Sequence, residues 1–201
     1  MSIVIYTRHA LKMYNNGKAI NGLPQHDSPI IDQEISRIEK TKENLIKQYG
    51  KPNRVKCSPF KRTRQTTEGL VKGLEVEVTI DNKIGEYLGN QRPRTGPNGN
   101  IPDVSQTTKQ YGVPPLGEKF DCMKQRCREH LADMGFCDKK VENGVTWVVS
   151  HGLIIETIVS KLQEWGSDVY IPSNLDMHEL DSIVIEYNSE RPIITYIPAP
   201  K

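Results

Sequence analysis

Two short apolar runs each end in a histidine, and this pairing constrains the fold more than any other feature. Ile3-Val4-Ile5-Tyr6 leads into Arg8-His9, and Val148-Val149-Ser150 leads into His151-Gly152. Both runs are β-branched and too short for helices, and each is followed by a small residue or turn former, so both are expected to be buried strands. Open α/β sheets bind ligands beyond the carboxyl ends of their strands. The chain between the two runs is long enough for the crossovers that parallel pairing needs. Two histidines far apart in sequence are therefore expected at one sheet edge.

Between and beyond these strands, helix and strand signals alternate. Asp27-Ser28-Pro29 opens a helical pattern carrying Ile31, Ile35, Ile38, Leu45 and Ile46, ended by Gly50 and Pro52. Arg54 to Cys57 reads as a short strand, Ser58-Pro59 as a helix start with proline at the first helical position, and Leu74 to Ile80 as an alternating strand. Residues 89 to 116 are rich in Pro, Gly and Asn and nearly free of apolar periodicity, which predicts a long loop, read here as a lid over the site or an insertion. A helix follows from about Gly117 to Met134, and another from Leu153 to Leu162. Ser182 to Tyr187 with Pro192 to Ile197 reads as a terminal hairpin. The expectation is one domain over residues 1–201: a three-layer α/β/α sandwich on a mainly parallel sheet.

Charge and cysteine content narrow the function classes. A net charge of +2 with interspersed signs supplies no global field for nucleic acid or an anionic membrane, so neither is expected as a partner. No apolar stretch approaches the roughly 20 residues of a spanning helix, and no signal-peptide pattern is present, which points to a cytoplasmic protein. Cys57, Cys122, Cys127 and Cys137 are too sparse for a disulfide scaffold. With His130, three of them form Cys-x4-Cys-x2-His-x6-Cys, a zinc-compatible set of residue types, but positions five and eight residues after Cys122 do not share a helix face directly, so burial of small thiols is the preferred reading. Cys57 lacks the arginine six positions on that a cysteine phosphatase requires, because Thr63 stands there.

The motifs Thr7-Arg8-His9-Ala10, Ser58-Pro59-Phe60-Lys61-Arg62-Thr63-Arg64-Gln65-Thr66 and Ser150-His151-Gly152, in that order, resemble the histidine phosphatase superfamily, branch 1, the phosphoglycerate mutase-like group. Asn15, Asn21-Gly22, Asp27-Ser28-Pro29-Ile30 and Gly117-Glu118 extend the likeness over nearly the whole chain, except residues 89–116. The resemblance implies a phosphoglycerate mutase-like fold and hydrolysis of phosphomonoesters through a phosphohistidine on His9, without cofactor or metal. It implies phosphate binding by Arg8, Arg62, Asn15, Asn21, Gly22 and Gly152, and help from His151 at the phosphoryl oxygens. A glutamate is then needed to protonate the leaving oxygen; Glu86 is the candidate and Glu118 the competitor. The substrate would be a phosphorylated small molecule or a phosphoprotein. A mutase-type phosphotransferase, a degenerate phosphate-binding protein and a homodimer stay open.

The physical case for these residue types is direct. Guanidiniums hold phosphoryl oxygens bidentately, and neighbouring cations keep an imidazole neutral and hence nucleophilic. Two departures from the family pattern bear on this. Ala10 stands where glycine is usual, which raises the question of an unusual backbone there. Glu156 stands where relatives often carry arginine, which weakens any second anion pocket. Arg92, Arg94 and Lys109 are read either as solvated loop charges or as contacts to a second acidic group on the substrate.

Overall fold

The computed structural model describes residues 1–13, 27–89, 117–138, 140–170, 175–188 and 192–201. In chain order the elements are β1 (Ser2–Arg8), α1 (Glu34–Tyr49), β2 (Arg54–Cys57), α2 (Lys61–Val71), β3 (Val78–Ile80), a 3-10 turn (Asn82–Ile84), α3 (Phe120–Asp133), β4 (Gly144–Ser150), α4 (Gly152–Glu164), β5 (Asp168–Tyr170), β6 (Ser182–Tyr187) and β7 (Pro192–Ile197). The strands form one sheet in the order β3-β2-β4-β1-β6-β7-β5. β1 to β4 run parallel to one another, β6 is reversed against both β1 and β7, and β5 lies parallel to β7.

Alternation along the strands sends side chains to two cores, one on each sheet face. Ile3 and Ile5 of β1, with Val145, Trp147 and Val149 of β4, pack with Ile38 and Leu45 of α1 and Leu70 of α2. Val4 and Tyr6, with Val148, Ile183 and Ile185, pack with Met123 and Leu131 of α3 and Ile154, Ile155 and Ile158 of α4. Helices thus cover both faces, giving the expected three layers. α1 and α2 sit so close that a Cβ on Gly69 would come within 2.7 Å of Ile38.

Several boundaries differ from the sequence expectation. Residues 28–33 form no helix: Ile30 makes an antiparallel bridge to Lys12, and the helix begins at Glu34, so Ile31 lies outside it. Ile35, read as part of the apolar face, is 60% exposed. Pro59 precedes α2, whose cap is Phe60. Leu74 to Val76 pack beside the core without joining β3, which is three residues long. β5 carries too short an apolar signal to be read from sequence. The loop expected over 89–116 lies outside the described residues beyond Gly89, as do Arg92, Arg94 and Lys109.

Candidate active site

Register does most of the assembly. β1 and β4 pair from Ser2↔Gly144 to Arg8↔Ser150, so the residues that follow, His9 and His151, emerge side by side. The His9 amide donates to the Ser150 carbonyl at 3.0 Å, and the two imidazole rings lie 5.2 Å apart. β2 ends level with them, and the Ser58 amide donates to the Val149 carbonyl. The turn at Ser58-Pro59 then starts α2 with Arg62 in its first turn, pointing back at both histidines. Glu86 arrives from β3 through the 3-10 turn. All four side chains collect beyond the carboxyl ends of parallel strands.

Arg62 is fully buried, donates to two of the other three and lies against the third. Its Nε donates to His9 Nε2 at 3.2 Å, its Nη2 to Glu86 Oε2 at 2.8 Å, and the same Nη2 lies 3.3 Å from His151 Nδ1. Phe60 supports the guanidinium, with the ring centroid 4.8 Å from Cζ, and packs edge-on against His151. His9 Nδ1 lies 2.7 Å from the Ala10 carbonyl, which can only accept, so Nδ1 carries the proton and Nε2 presents its lone pair. His151 Nδ1 is 3.3 Å from Glu86 Oε2, and its Nε2 is 2.8 Å from Ser58 Oγ. With Nδ1–H directed to the carboxylate, Nε2 accepts from the serine hydroxyl.

Burial, then the Arg62 charge and the neighbouring His151, holds His9 well below the ordinary imidazole range. Burial likewise lowers His151 to about 4. Burial alone would raise the Glu86 carboxyl, but His151, its hydrogen bond and Arg62 outweigh it and keep Glu86 well below the usual carboxylate range. The resting cluster is thus two neutral imidazoles, one carboxylate and one guanidinium. His9, Glu86 and His151 are the one group of three or more metal-ligating residue types that converge among the described residues, with ligand atoms within 4.8 Å of one another. Arg62 occupies the cationic centre of that trio, hydrogen-bonded to His9 and Glu86.

The other expected residues are placed less simply. Arg8 is half-buried; it donates from Nη2 to Glu179 Oε1 at 3.1 Å and from Nη1 to the Met177 carbonyl. It lies over Gly152, whose added Cβ would stand 3.6 Å from Arg8 Nε. Gly152 opens α4 directly after His151, so the positive end of that helix faces the same region. Glu156 accepts from the Met177 amide on the neighbouring loop. Ala10 does not have a left-handed backbone: Leu180 is the one non-glycine residue with positive φ among the described residues, and the Ala10 amide donates to Thr66 Oγ1. Asn15, Asn21 and Gly22 lie outside the described residues.

Glu118 is buried with both carboxylate oxygens on Arg126, away from the histidine cluster. The cysteine-histidine pattern does not converge. His130 bonds Asp81 and the Tyr6 hydroxyl, Cys127 is buried beside Met123, and Cys122 and Cys137 are exposed. Burial pushes the Cys57 thiol up to about 11, which leaves it inert as a nucleophile. Sequence reading missed Ser58 as a partner of His151, Glu179 as a partner of Arg8, and Lys12. Lys12 is half-buried three residues after His9, and its ammonium is lowered by burial and by Arg62. Its position on the bridge to Ile30 had no sequence signal, because that pairing is isolated.

The family sequence model of the histidine phosphatase superfamily (branch 1) matches residues 4–198, and the chain belongs to that family. It is accordingly a phosphatase that acts through a histidine. Solved structures agree on the fold. Bacillus stearothermophilus YhfR superposes with a TM-score of 0.68 at 18% identity, covering 100% of this chain and 98% of the other. A mycobacterial glucosyl-3-phosphoglycerate phosphatase complexed with vanadate gives 0.64 at 16%, covering 98% and 99%. A phosphoserine phosphatase mutant from Entamoeba histolytica, in complex with phosphoserine, gives 0.63 at 17%, covering 98% and 96%. No curated protein matches the chain in sequence.

The neutral state of the buried histidines has a consequence for stability. In the unfolded chain an imidazole takes up a proton near pH 6.5, whereas His9, His130 and His151 resist it in the fold. The unfolded state therefore binds more protons as pH falls, and stability drops from about pH 6.5 downward. For His151, the drop between pH 7.5 and 5 is about 2 kcal/mol, with the other two acting in the same direction. Asp81, held at about 2, opposes nothing in this window, since its contribution is lost only below about pH 4. Urea midpoints measured at both pH values check this; an equal or higher midpoint at pH 5 would show that these imidazoles are not held neutral.

Proposed function

We propose that the protein is a metal-independent phosphomonoesterase in which His9 Nε2 attacks the phosphoryl group and Glu86 serves the leaving oxygen. One observation carries this reading. The Ala10 carbonyl holds the proton on His9 Nδ1, so Nε2 carries the lone pair and accepts from Arg62 Nε, and a phosphoryl anion that draws the guanidinium to its oxygens would release that lone pair for attack. Arg62 and Arg8 bind the non-bridging oxygens, with Gly152 at the helix terminus and, by family resemblance, Asn15, Asn21 and Gly22. His151 donates as charge develops there, once the phosphoryl anion reorders its hydrogen bonds. His9 displaces the alkoxide in line and becomes phosphohistidine. Water, deprotonated by Glu86, then attacks the phosphorus and returns the imidazole.

The ionised Glu86 of the resting site has no proton to give. Arrival of the phosphoryl charge beside it, together with the diversion of Arg62 to the phosphoryl oxygens, raises its pKa. A monoester bound as the monoanion brings the proton that Glu86 needs and later passes to the leaving oxygen. The pairing of Glu118 with Arg126 supports Glu86 over Glu118 in this role. Lys12 adds a third cation beside the two arginines, which favours a small phosphorylated substrate with a second anionic group. The four free thiols fit a reducing, cytoplasmic setting.

Rapid-quench measurement of phosphoenzyme formation in chelator tests this reading. Wild type is expected to form an alkali-stable, acid-labile phosphoenzyme from both p-nitrophenyl phosphate and an alkyl phosphate. Glu86→Gln is expected to slow formation from the alkyl ester about 100-fold, and from the aryl ester far less, because p-nitrophenolate leaves without a proton. Equal slowing of both esters would remove Glu86 from the role of acid, and dependence on added metal would overturn the metal-independent reading.

A further inference from the structure

Glu86 follows a segment that belongs to no strand, so something other than the sheet must aim its carboxyl group. Two anchors come from the sheet side: the Asp81 amide donates to the Cys57 carbonyl at 2.9 Å, and Ser150 Oγ donates to the Ile84 carbonyl at 2.8 Å. A third comes from α3. Arg126 Nη1 donates to the Lys83 carbonyl at 2.7 Å, and Nη2 reaches the carbonyl of Glu86 itself at 3.4 Å. The remaining edge of the guanidinium binds Glu118, from Nε to Oε1 at 2.7 Å and from Nη2 to Oε2 at 2.9 Å. The Gly117 amide donates to the Leu88 carbonyl, and a Cβ on Gly89 would stand 2.4 Å from the Glu118 carbonyl, so this pair abuts the chain that leaves Glu86.

From this arrangement we infer that Arg126, fixed by Glu118, is a positioning residue for Glu86. The inference rests on the proposed role of Glu86 as acid and base. The Arg126 and Glu118 side chains are only 12% and 6% exposed, and a buried ion pair seldom stabilises a fold better than apolar residues of similar size. What the planar fork provides is geometry: it ties two carbonyls of the Glu86 segment to one carboxylate in a fixed plane. Its hydrogen bonds end on Lys83, the Glu86 carbonyl and Glu118, and none reaches a side chain of the histidine cluster. Arg126 acts on the reaction only through where Glu86 sits, and a misplacement of about 1 Å is enough to slow a proton transfer strongly.

The test is the leaving-group dependence of phosphoenzyme formation in the full-length protein. Arg126→Met is expected to slow formation from an alkyl phosphate by tenfold or more, on the order of a modest misplacement. Formation from p-nitrophenyl phosphate is expected to change by less than about twofold, since that leaving group needs no acid. Arg126→Lys should recover part of the alkyl rate, because an ammonium can still reach one carbonyl. In a Glu86→Gln background, Arg126→Met should have no further effect, the aim of an absent acid being irrelevant. Equal slowing of both esters, or a full additional loss on top of Glu86→Gln, would overturn the positioning role. If Arg126→Met fails to fold, Arg126→Lys and Glu118→Gln carry the same comparison, and equal slowing of both esters by these variants overturns it too. A Glu86→Gln variant without leaving-group bias removes the acid itself and this inference with it. A biased Glu86→Gln beside an unbiased Arg126→Met removes this inference alone.

Discussion

His9→Ala is expected to lower phosphate release to the background rate, a loss on the order of 10,000-fold or more, as removal of a covalent nucleophile does elsewhere. The variant keeps Arg62, Arg8 and His151, so it should still bind inorganic phosphate or vanadate, and either anion should still raise its Tm. It should form no alkali-stable phosphoenzyme. Its folding should also respond less to acid: His9 is one of three buried imidazoles that stay neutral in the fold, and without it the slope of stability between pH 7.5 and 5 becomes shallower. Three measurements on one variant, turnover, anion-induced thermal shift and the pH slope, thus separate loss of chemistry from loss of fold. Retention of phosphate release near the wild-type rate would end the assignment of His9 as nucleophile.

The parts of the site readable from sequence are those fixed by local pattern plus strand register. Arg8-His9 and Ser150-His151 each follow a run that could only be a buried strand, and equal positions at the ends of β1 and β4 were implied once both were parallel. Arg62 was readable because the motif from Ser58 to Thr66 resembles the family's, and the Ser58-Pro59 turn sets it in the first turn of the helix after β2. The hairpin of β6 and β7 showed the same clarity, with both boundaries matching the alternation. What could not be read depends on contacts between distant segments. Glu179 meets Arg8 across 171 residues and has no motif of its own. The pairing of Glu118 with Arg126, which favours the preferred candidate Glu86 over its competitor, has no signal in the sequence. The start of α1 was misplaced because Asp27-Ser28-Pro29 has the chemistry of a helix start, yet the Asp27 carboxylate turns away to accept from the Lys61 amide at the head of α2. A local capping signal was captured by a tertiary partner. Ile35 shows the same limit: it satisfies the helical spacing, but the sheet covers only the stripe through Ile38 and Leu45.

Arg62→Met is expected to damage both activity and folding, and a second substitution distinguishes the two. In the proposed site the guanidinium supplies donors to the bound phosphoryl group, and losing one such preorganised donor typically costs about 100- to 1,000-fold; losing the whole fork should exceed about 1,000-fold. Arg62→Lys should recover little, because a single ammonium cannot span His9 and Glu86 as Nε and Nη2 do. For stability, the substitution leaves the Glu86 carboxylate at the cluster without its cation, and breaking a buried pair from one side costs about 3 kcal/mol. Raising the Glu86 pKa relieves part of that cost, so Arg62→Met should be relatively more stable at lower pH than the loss of an ordinary core contact would allow. Adding Glu86→Gln removes the unpaired charge. The double variant should therefore regain most of the lost stability in urea unfolding while remaining as inactive as Arg62→Met. If stability does not return, Arg62 supports the fold by packing under Phe60 and not by neutralising Glu86. If Arg62→Met retains activity within tenfold of wild type, the phosphoryl group is held elsewhere, and the convergence of His9, Glu86 and His151 on this one guanidinium does not mark the reacting centre.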